Sequence, residues 1–370
     1  MRFVKFVLLS TLVAFIACGS SSKDANEEGT SDSNKDKTGY QWEKNRTQLL
    51  DYHDMVLLYG GGSHRTHLWD AQYMAPYVTY VDKDKKEHWL FDSFLFLEIH
   101  NGKGKMFASG YTSTPANQQD WMALVDYYFQ SKLALGALDK AITAATARIG
   151  APATKRRVVI GLPEPIKGQT DWGSVKNGQQ LNFNNDADRI TACKWYIDYV
   201  RMKFKELDYK NIELAGFYWI AEEATNTRTI VNELGNYMNS LKYTFNWIPY
   251  FKSDGYSEWK SFGFNYAYLQ PNYFFNEKTP TSRLDDACSL AKNYNMDMEM
   301  EFDERVSKGW GYRLTNYMDA FKKNGIWSSK RLAYYQGDVA LYNLSVSTNT
   351  DENQLYHDFC HFIIDRPLYK

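Results

Sequence analysis

Several signatures are missing from this sequence, and each absence narrows what the chain can be. There is no basic excess: 43 Lys and Arg face 44 Asp and Glu, a formal charge of −1. A nucleic-acid binder needs surplus cations to displace counterions from phosphates, so that class of partner is excluded. Cysteine is scarce, four in 370 residues, with no CxxC spacing, which removes disulfide frameworks and zinc ribbons. No HExxH, GxSxG, GxGxxG or GxxxxGK[ST] motif is present, so zincin, serine-hydrolase and nucleotide-cradle chemistry lose their usual signals. Gly60-Gly61-Gly62 lacks the Lys of a phosphate cradle and reads as a permissive turn. The apolar run from Phe6 to Ile16 is too short to span a bilayer as a mature helix.

Aromatic rings are abundant instead: 28 Tyr, 21 Phe and 11 Trp make up 16% of the chain. Buried Tyr and Trp need partners for their OH and NH groups. So large a supply suits a cleft that stacks on flat apolar faces such as those of sugar rings.

Residues 1–18 read as an address. Arg2 and Lys5 form a basic region, the apolar run follows, and Phe15-Ile16-Ala17-Cys18 resembles the bacterial lipobox. The expectation is a lipoprotein signal peptide with Cys18 as the acylated residue, then a polar, flexible tether over 19–39. The rest, 40–370, is expected to fold as one domain, exported, monomeric, and held at the outer membrane by its lipid alone. Cys193, Cys288 and Cys360 fall in helix-like apolar patterns and read as small buried hydrophobes.

Eight short apolar runs alternate with longer helical stretches: 55–59, 93–99, 158–162, 212–220, 244–250, 266–270, 296–302 and 332–335. Runs apolar on both faces and separated by helices imply a parallel sheet. Helical periodicity marks 120–149, with Gly136 as its break, then 186–207, 228–241, 283–294, 312–321 and 354–364. Eight such units in about 330 residues fit an α/β (β/α)₈ TIM barrel with long loops after strands two and three.

In that fold the chemistry sits at the C-terminal strand ends. Strand one is followed by His64, Arg65, His67 and Trp69. Strand two ends at Glu98 and His100, and strand three runs into Glu164 and then Trp172. Strand four carries Trp219 ahead of Glu222-Glu223, strand five ends near Tyr250, strand six in Gln270, Asn272 and Tyr273, and strand eight in Tyr335, Gln336 and Asp338. The sharpest pattern is strand seven. In Met296-Asp-Met-Glu-Met-Glu-Phe-Asp303 the two-residue period sends Met298, Met300 and Phe302 to one face and Asp297, Glu299, Glu301 and Asp303 to the other. The apolar row must meet the helices, so the acidic row points into the barrel. Glu301, then Glu299, is the catalytic choice on this strand, and Asp303 belongs to the rim. Glu222 or Glu223 is the partner, since two carboxyl groups flanking a bond are the minimum for glycoside hydrolysis. The aromatic residues Trp69, Trp172, Tyr218, Trp219, Tyr250, Tyr273 and Tyr335 are expected to form a sugar-stacking rim.

Gly216-Phe-Tyr-Trp219 with Glu222, Trp247-Ile-Pro-Tyr250, Gln270-Pro-Asn-Tyr-Phe274 and Met298-Glu-Met-Glu301 resemble the landmarks of an uncharacterised domain-of-unknown-function family. That family occurs in bacterial secreted proteins and lipoproteins and is distantly similar to (β/α)₈-barrel glycoside hydrolases. The resemblance spans the chain from about Asp51 onward. In the large clan of barrel glycosidases that carry the acid/base after strand four and the nucleophile after strand seven, the acid/base Glu commonly follows an Asn; here strands four and seven match, but Ala221 precedes Glu222. The leading expectation is a glycosidase acting on an oligo- or polysaccharide without a cofactor or metal. The alternatives are a non-catalytic glycan-binding lipoprotein and a metal-dependent carbohydrate esterase or deacetylase, for which the acidic row would hold Ca²⁺ or Mg²⁺.

Overall fold

The computed structural model describes residues 46–369 apart from 112, 176 and 177. The expected signal peptide with Cys18 and the expected tether lie outside the described residues.

In chain order the elements are β1 (Asp54–Tyr59), α1 (Ala71–Val78), β2 (Thr79–Val81), β3 (Glu87–Trp89), β4 (Ser93–Leu97), α2 (Gln118–Tyr128), α3 (Ala134–Ile149), β5 (Arg156–Leu162), α4 (Asp186–Leu207) and β6 (Ile212–Trp219). They continue with α5 (Val231–Ser240), β7 (Thr244–Trp247), β8 (Tyr266–Leu269), α6 (Ser282–Asn293), β9 (Asp297–Glu301), α7 (Gly311–Lys323), α8 (Ile326–Ser329), β10 (Leu332–Tyr335), α9 (Ala340–Ser345) and α10 (Thr350–Ile364). Eight of the strands close into a parallel barrel in the order β1-β10-β9-β8-β7-β6-β5-β4, while β2 and β3 form a separate antiparallel hairpin. All eight strands read from the sequence are the barrel strands, and the chain is a (β/α)₈ barrel.

Each strand's residues follow from the period of two. In β9, Met298 and Met300 turn to the helices while Glu299 and Glu301 turn inward, and all four are buried. The register of the ladder sets Ala333 beside Glu299 and Tyr335 beside Glu301. Below this level the interior is filled: Tyr52 Oη donates to Asn246 Oδ1 at 2.7 Å and lies 2.9 Å from Thr244 Oγ1. A polar plug of this kind is stable only because its groups satisfy one another. At the same end Arg366, fully buried, pairs with Asp54, which also accepts from Tyr334 Oη at 2.5 Å. This ties the C-terminal segment to the first strand.

Two helical readings change. The stretch 120–149 is two helices, α2 and α3, and the break falls at 129–133 rather than at Gly136, which lies inside α3. Gly136 serves a close approach instead: a Cβ there would stand 2.5 Å from the Gln130 carbonyl oxygen. Helix α1 escaped the periodicity because it is short and carries Pro76; its start is fixed by Asp70, whose side chain accepts from the amides of Gln72 and Tyr73. Between β7 and β8 only a single 3₁₀ turn, Tyr256–Glu258, is found, in keeping with the short spacing there. Among the described residues no helix is long and apolar enough to cross a membrane.

Candidate functional site

The C-terminal strand ends surround a cavity of about 500 Å³. Leu57 and Tyr59 reach it from β1, Tyr218 from β6, Glu299 and Glu301 from β9, and Tyr335 from β10, each through the inward parity of its strand. Ala333 brings only a methyl group beside Glu299, which keeps the floor of the cavity open above the filled interior. The loops supply His64, Arg65, His100, Tyr111, Glu222, Gln270, Asn272, Phe275, Asp303, Glu304 and Asp338.

Of the six carboxyl groups that line this space, three, those of Glu222, Glu299 and Glu301, belong to no ion pair among the described residues. Glu301 is 1% exposed, and its two oxygens differ. Oε2 accepts from Tyr317 Oη at 2.5 Å and from the Asn272 backbone N–H at 2.7 Å. Oε1 has no hydrogen-bond partner among the described residues. Asn272 presents its amide from a left-handed conformation, φ +49°, which Asn tolerates better than most residues. Burial raises the Glu301 carboxyl to about 7 against these two donors, and neighbouring Glu222 adds to the rise. Glu299, one inward position deeper, is held well above the carboxylate range by burial first, then by Glu301 and Glu222. Glu222, half-buried, is raised by burial and by Glu223, while a hydrogen bond with Gln270 acts the other way. Like charges this close in a desolvated cavity cannot all ionise together. Burial thus favours the neutral acid at all three positions, and ionised neighbours favour it further.

Beside the acids lies a fixed ionic pair. Arg65 donates from Nε and Nη2 to the two oxygens of fully buried Glu98, each at 2.7 Å, and from Nη1 to Asp338 Oδ1 at 3.0 Å. Glu98 also accepts from the amides of Gly62 and Ile99. His64 stacks on His100 with ring centroids 3.9 Å apart; burial holds the His64 imidazole below its usual value, and Arg65 and His100 act in the same direction. Asp303 lines the cavity but is clamped by Arg305, from Nη2 at 2.6 Å. Glu304 Oε1 accepts from the amides of Asp338 and Val339. A Cβ at Gly337, where φ is +64°, would stand 2.6 Å from Glu304 Oε2, so the turn admits only glycine.

Not every residue read from the sequence reaches the cavity. Glu223 is turned to the side, where it accepts from Tyr250 Oη at 2.7 Å, and neither residue lines the cavity. Trp69 is fully buried with its Nε1 donating to the Tyr59 carbonyl at 2.7 Å, Trp172 packs edge-on against Trp121 and Trp195, and Trp219 packs on Phe245. Tyr273 is buried beneath the guanidinium of Arg313, 3.8 Å from its ring centroid. These four rings are core. Glu98, His67 and Gln336 act from behind the wall: His67 Nδ1 lies 3.3 Å from Asp338 Oδ2, and Gln336 accepts from Tyr77 Oη and donates to the Leu57 and Asp338 carbonyls. Glu164 is also apart from the cavity, buried with one oxygen accepting from the Ser109 amide and the other unpartnered. Burial raises its carboxyl.

The rings that do line the cavity are Tyr59, Tyr111, Tyr218, Phe275 and Tyr335. Tyr111 and Phe275 were missed because they sit on loops with no periodic signal, and Glu304 because it opens a short 3₁₀ helix, Glu304–Lys308, although it directly follows Asp303. Tyr59 shares the parity of Leu57 on β1 and could have been found from it. His357 and His361, four apart on α10, form a helical pair outside the HExxH pattern; they flank the ring of Tyr80 and lie away from this cavity. Among the described residues no group of three or more His, Cys, Asp or Glu side chains is placed to hold a metal ion.

The sequence profile of a domain of unknown function, DUF4855, matches residues 54–361. No curated protein matches the chain. Similar solved structures include the GH99 endo-α-mannosidase from Bacteroides thetaiotaomicron, at 9% identity and TM-score 0.44 over 85% of this chain and 97% of that one. The tryptophan synthase α-subunit from Pyrococcus furiosus matches at 7% identity and TM-score 0.38, over 86% and 100% of the two chains. Rubisco from Pyrococcus horikoshii matches at 7% identity and TM-score 0.40 over 86% of this chain, which spans 60% of the Rubisco chain. Similarity at this level says nothing about chemistry.

Proposed function

The chain belongs to the DUF4855 family, a domain of unknown function, and we propose that it is a glycoside hydrolase-like enzyme using Glu222 and Glu301 as its two carboxyl groups. The observation that carries the reading is the state of Glu301. Two donors hold Oε2, Oε1 is bare, and Glu222 shares the same cavity. A carboxylate fixed by one oxygen and free at the other is suited to approach an anomeric carbon or to take a proton from water.

In this reading Glu222, protonated, gives its proton to the glycosidic oxygen as the bond to the anomeric carbon breaks. Glu301, ionised, either attacks that carbon or activates the water that does. In the first case water, giving a proton to Glu222, then displaces Glu301 from the anomeric carbon. In the second Glu301 takes the water proton and solvent returns both carboxyl groups to their starting states. In either case water leaves its oxygen and one proton as the new anomeric hydroxyl. Glu299, raised by burial and then by Glu301 and Glu222, donates a hydrogen bond to a sugar hydroxyl at the cavity floor. Tyr59, Tyr218 and Tyr335 give the sugar faces apolar contact.

The test is release of new reducing ends from a panel of purified polysaccharides and their oligosaccharides. Cleavage of at least one glycan supports the reading. Binding to a glycan without product after prolonged incubation contradicts it and leaves a binding protein; loss of an activity on chelation points instead to a metal-dependent esterase.

We further propose that the enzyme works outside the cytoplasm, tethered through acylated Cys18. The support is the sequence pattern of residues 1–18. Cys18→Ala should move the protein from the membrane fraction to the soluble fraction; unchanged fractionation contradicts the anchor.

A further inference from the structure

The cavity is unusual in its charge. Six carboxyl groups line it, those of Glu222, Glu299, Glu301, Asp303, Glu304 and Asp338. Among the described residues the one Lys or Arg on its wall is Arg65, and its charge is already matched, each of its three nitrogens donating to Glu98 or Asp338. Asp303 is matched by Arg305, and Glu304 by two backbone amides. Among the described residues Glu222, Glu299 and Glu301 form no salt bridge, and Glu301 Oε1 is buried with no hydrogen-bond partner.

We propose that the sugar unit bound in this cavity is an amino sugar with a free, protonated amine, and that uronic acids and sulfated sugars are excluded. The inference rests on the cavity being a glycan site. A carboxylate or sulfate entering here finds, among the described residues, only a guanidinium already paired with two carboxylates, and meets uncompensated acids instead, a repulsion that rejects it. An ammonium group has the opposite effect. It supplies the missing counter-charge, gives up to three donors to oxygens that lack them, and lets more than one carboxyl of the trio ionise. A neutral hydroxyl at the same position provides hydrogen bonds without charge, so neutral sugars rank between the two.

Binding to the wild-type protein tests this without turnover. The probes are methyl glycosides of the gluco, galacto and manno series, each as the neutral sugar, the 2-amino-2-deoxy sugar and the uronic acid, measured by saturation-transfer NMR and calorimetry at pH 7.5 and low salt. In at least one series the amine should bind roughly tenfold tighter than the neutral sugar, with the uronic acid weakest. A uronic acid that binds as well as its neutral counterpart, an amine with no advantage in any series, or no saturation transfer from any amine overturns the proposal. The glycosidase reading is judged separately, by turnover in the Glu222→Gln and Glu301→Gln variants.

Discussion

Tyr317, on α7, donates its hydroxyl to Glu301 Oε2 at 2.5 Å from behind the barrel wall. The tyrosine is buried, with its ring edge-on to Tyr273 and Phe321, so the hydroxyl has a fixed direction. It favours the ionised carboxyl against a burial effect that pushes Glu301 up to about 7. Tyr317 is a positioning residue for the carboxylate that the reaction needs in ionised form. Tyr317→Phe should move the acidic limb of the kcat/KM profile to higher pH, by roughly one unit. A lower rate with an unmoved limb would show that Tyr317 only packs.

The same carboxyl links stability to pH. Between the ordinary value of 4.5 and about 7 the folded protein holds a proton on Glu301 that the unfolded chain has released. This contribution to stability is complete below pH 4.5 and is lost as the pH rises through 7. Glu301→Gln has no such proton to lose. Urea unfolding at pH 4.5 and pH 8 should therefore show the variant gaining on wild type, by on the order of 3 kcal/mol. Parallel stability curves would mean that Glu301 is not raised.

Arg65 contributes through the charge it neutralises. Its partner Glu98 is fully buried, so Arg65→Met should cost about 3–5 kcal/mol by leaving that carboxylate uncompensated. Adding Glu98→Leu should recover part of the loss, because the orphaned charge goes with it. A double variant less stable than Arg65→Met would contradict this account of the pair.

The aromatic residues divide into two groups with different readouts. Tyr111 and Phe275 line the cavity and are 56% and 38% exposed. Alanine at either should raise KM about three- to tenfold with little change in Tm. Trp172 and Trp219 are core, and alanine there should cost about 3–5 kcal/mol of stability. If Trp219→Ala changed only KM, the division would be wrong.

How far the sequence reveals the site depends on how each strand is buried. The alternation of β9 is plain because Met and Glu differ sharply, so its inward row is legible from residue types alone. Strand β6 is apolar on both faces, and nothing in Phe217-Tyr218-Trp219 says which ring turns inward; the barrel takes Tyr218 and gives Trp219 to the helices. Glu222 and Glu223 have the same difficulty, and the choice is made by Tyr250, which captures Glu223. Trp69, Trp172 and Tyr273 stand near strand ends in the chain, yet long loops fold their large apolar surfaces into the core. Tyr111 and Phe275 could not be singled out, since loop position obeys no period. The barrel itself was legible because eight spaced apolar runs admit few other closures.

The most direct measurement is kcat for Glu222→Gln and Glu301→Gln on a glycan that the wild-type enzyme cleaves, with the Tm of each variant recorded. The account predicts that each substitution lowers kcat by at least about a hundredfold while the protein stays folded. Wild-type turnover in either variant would contradict the assignment of this pair.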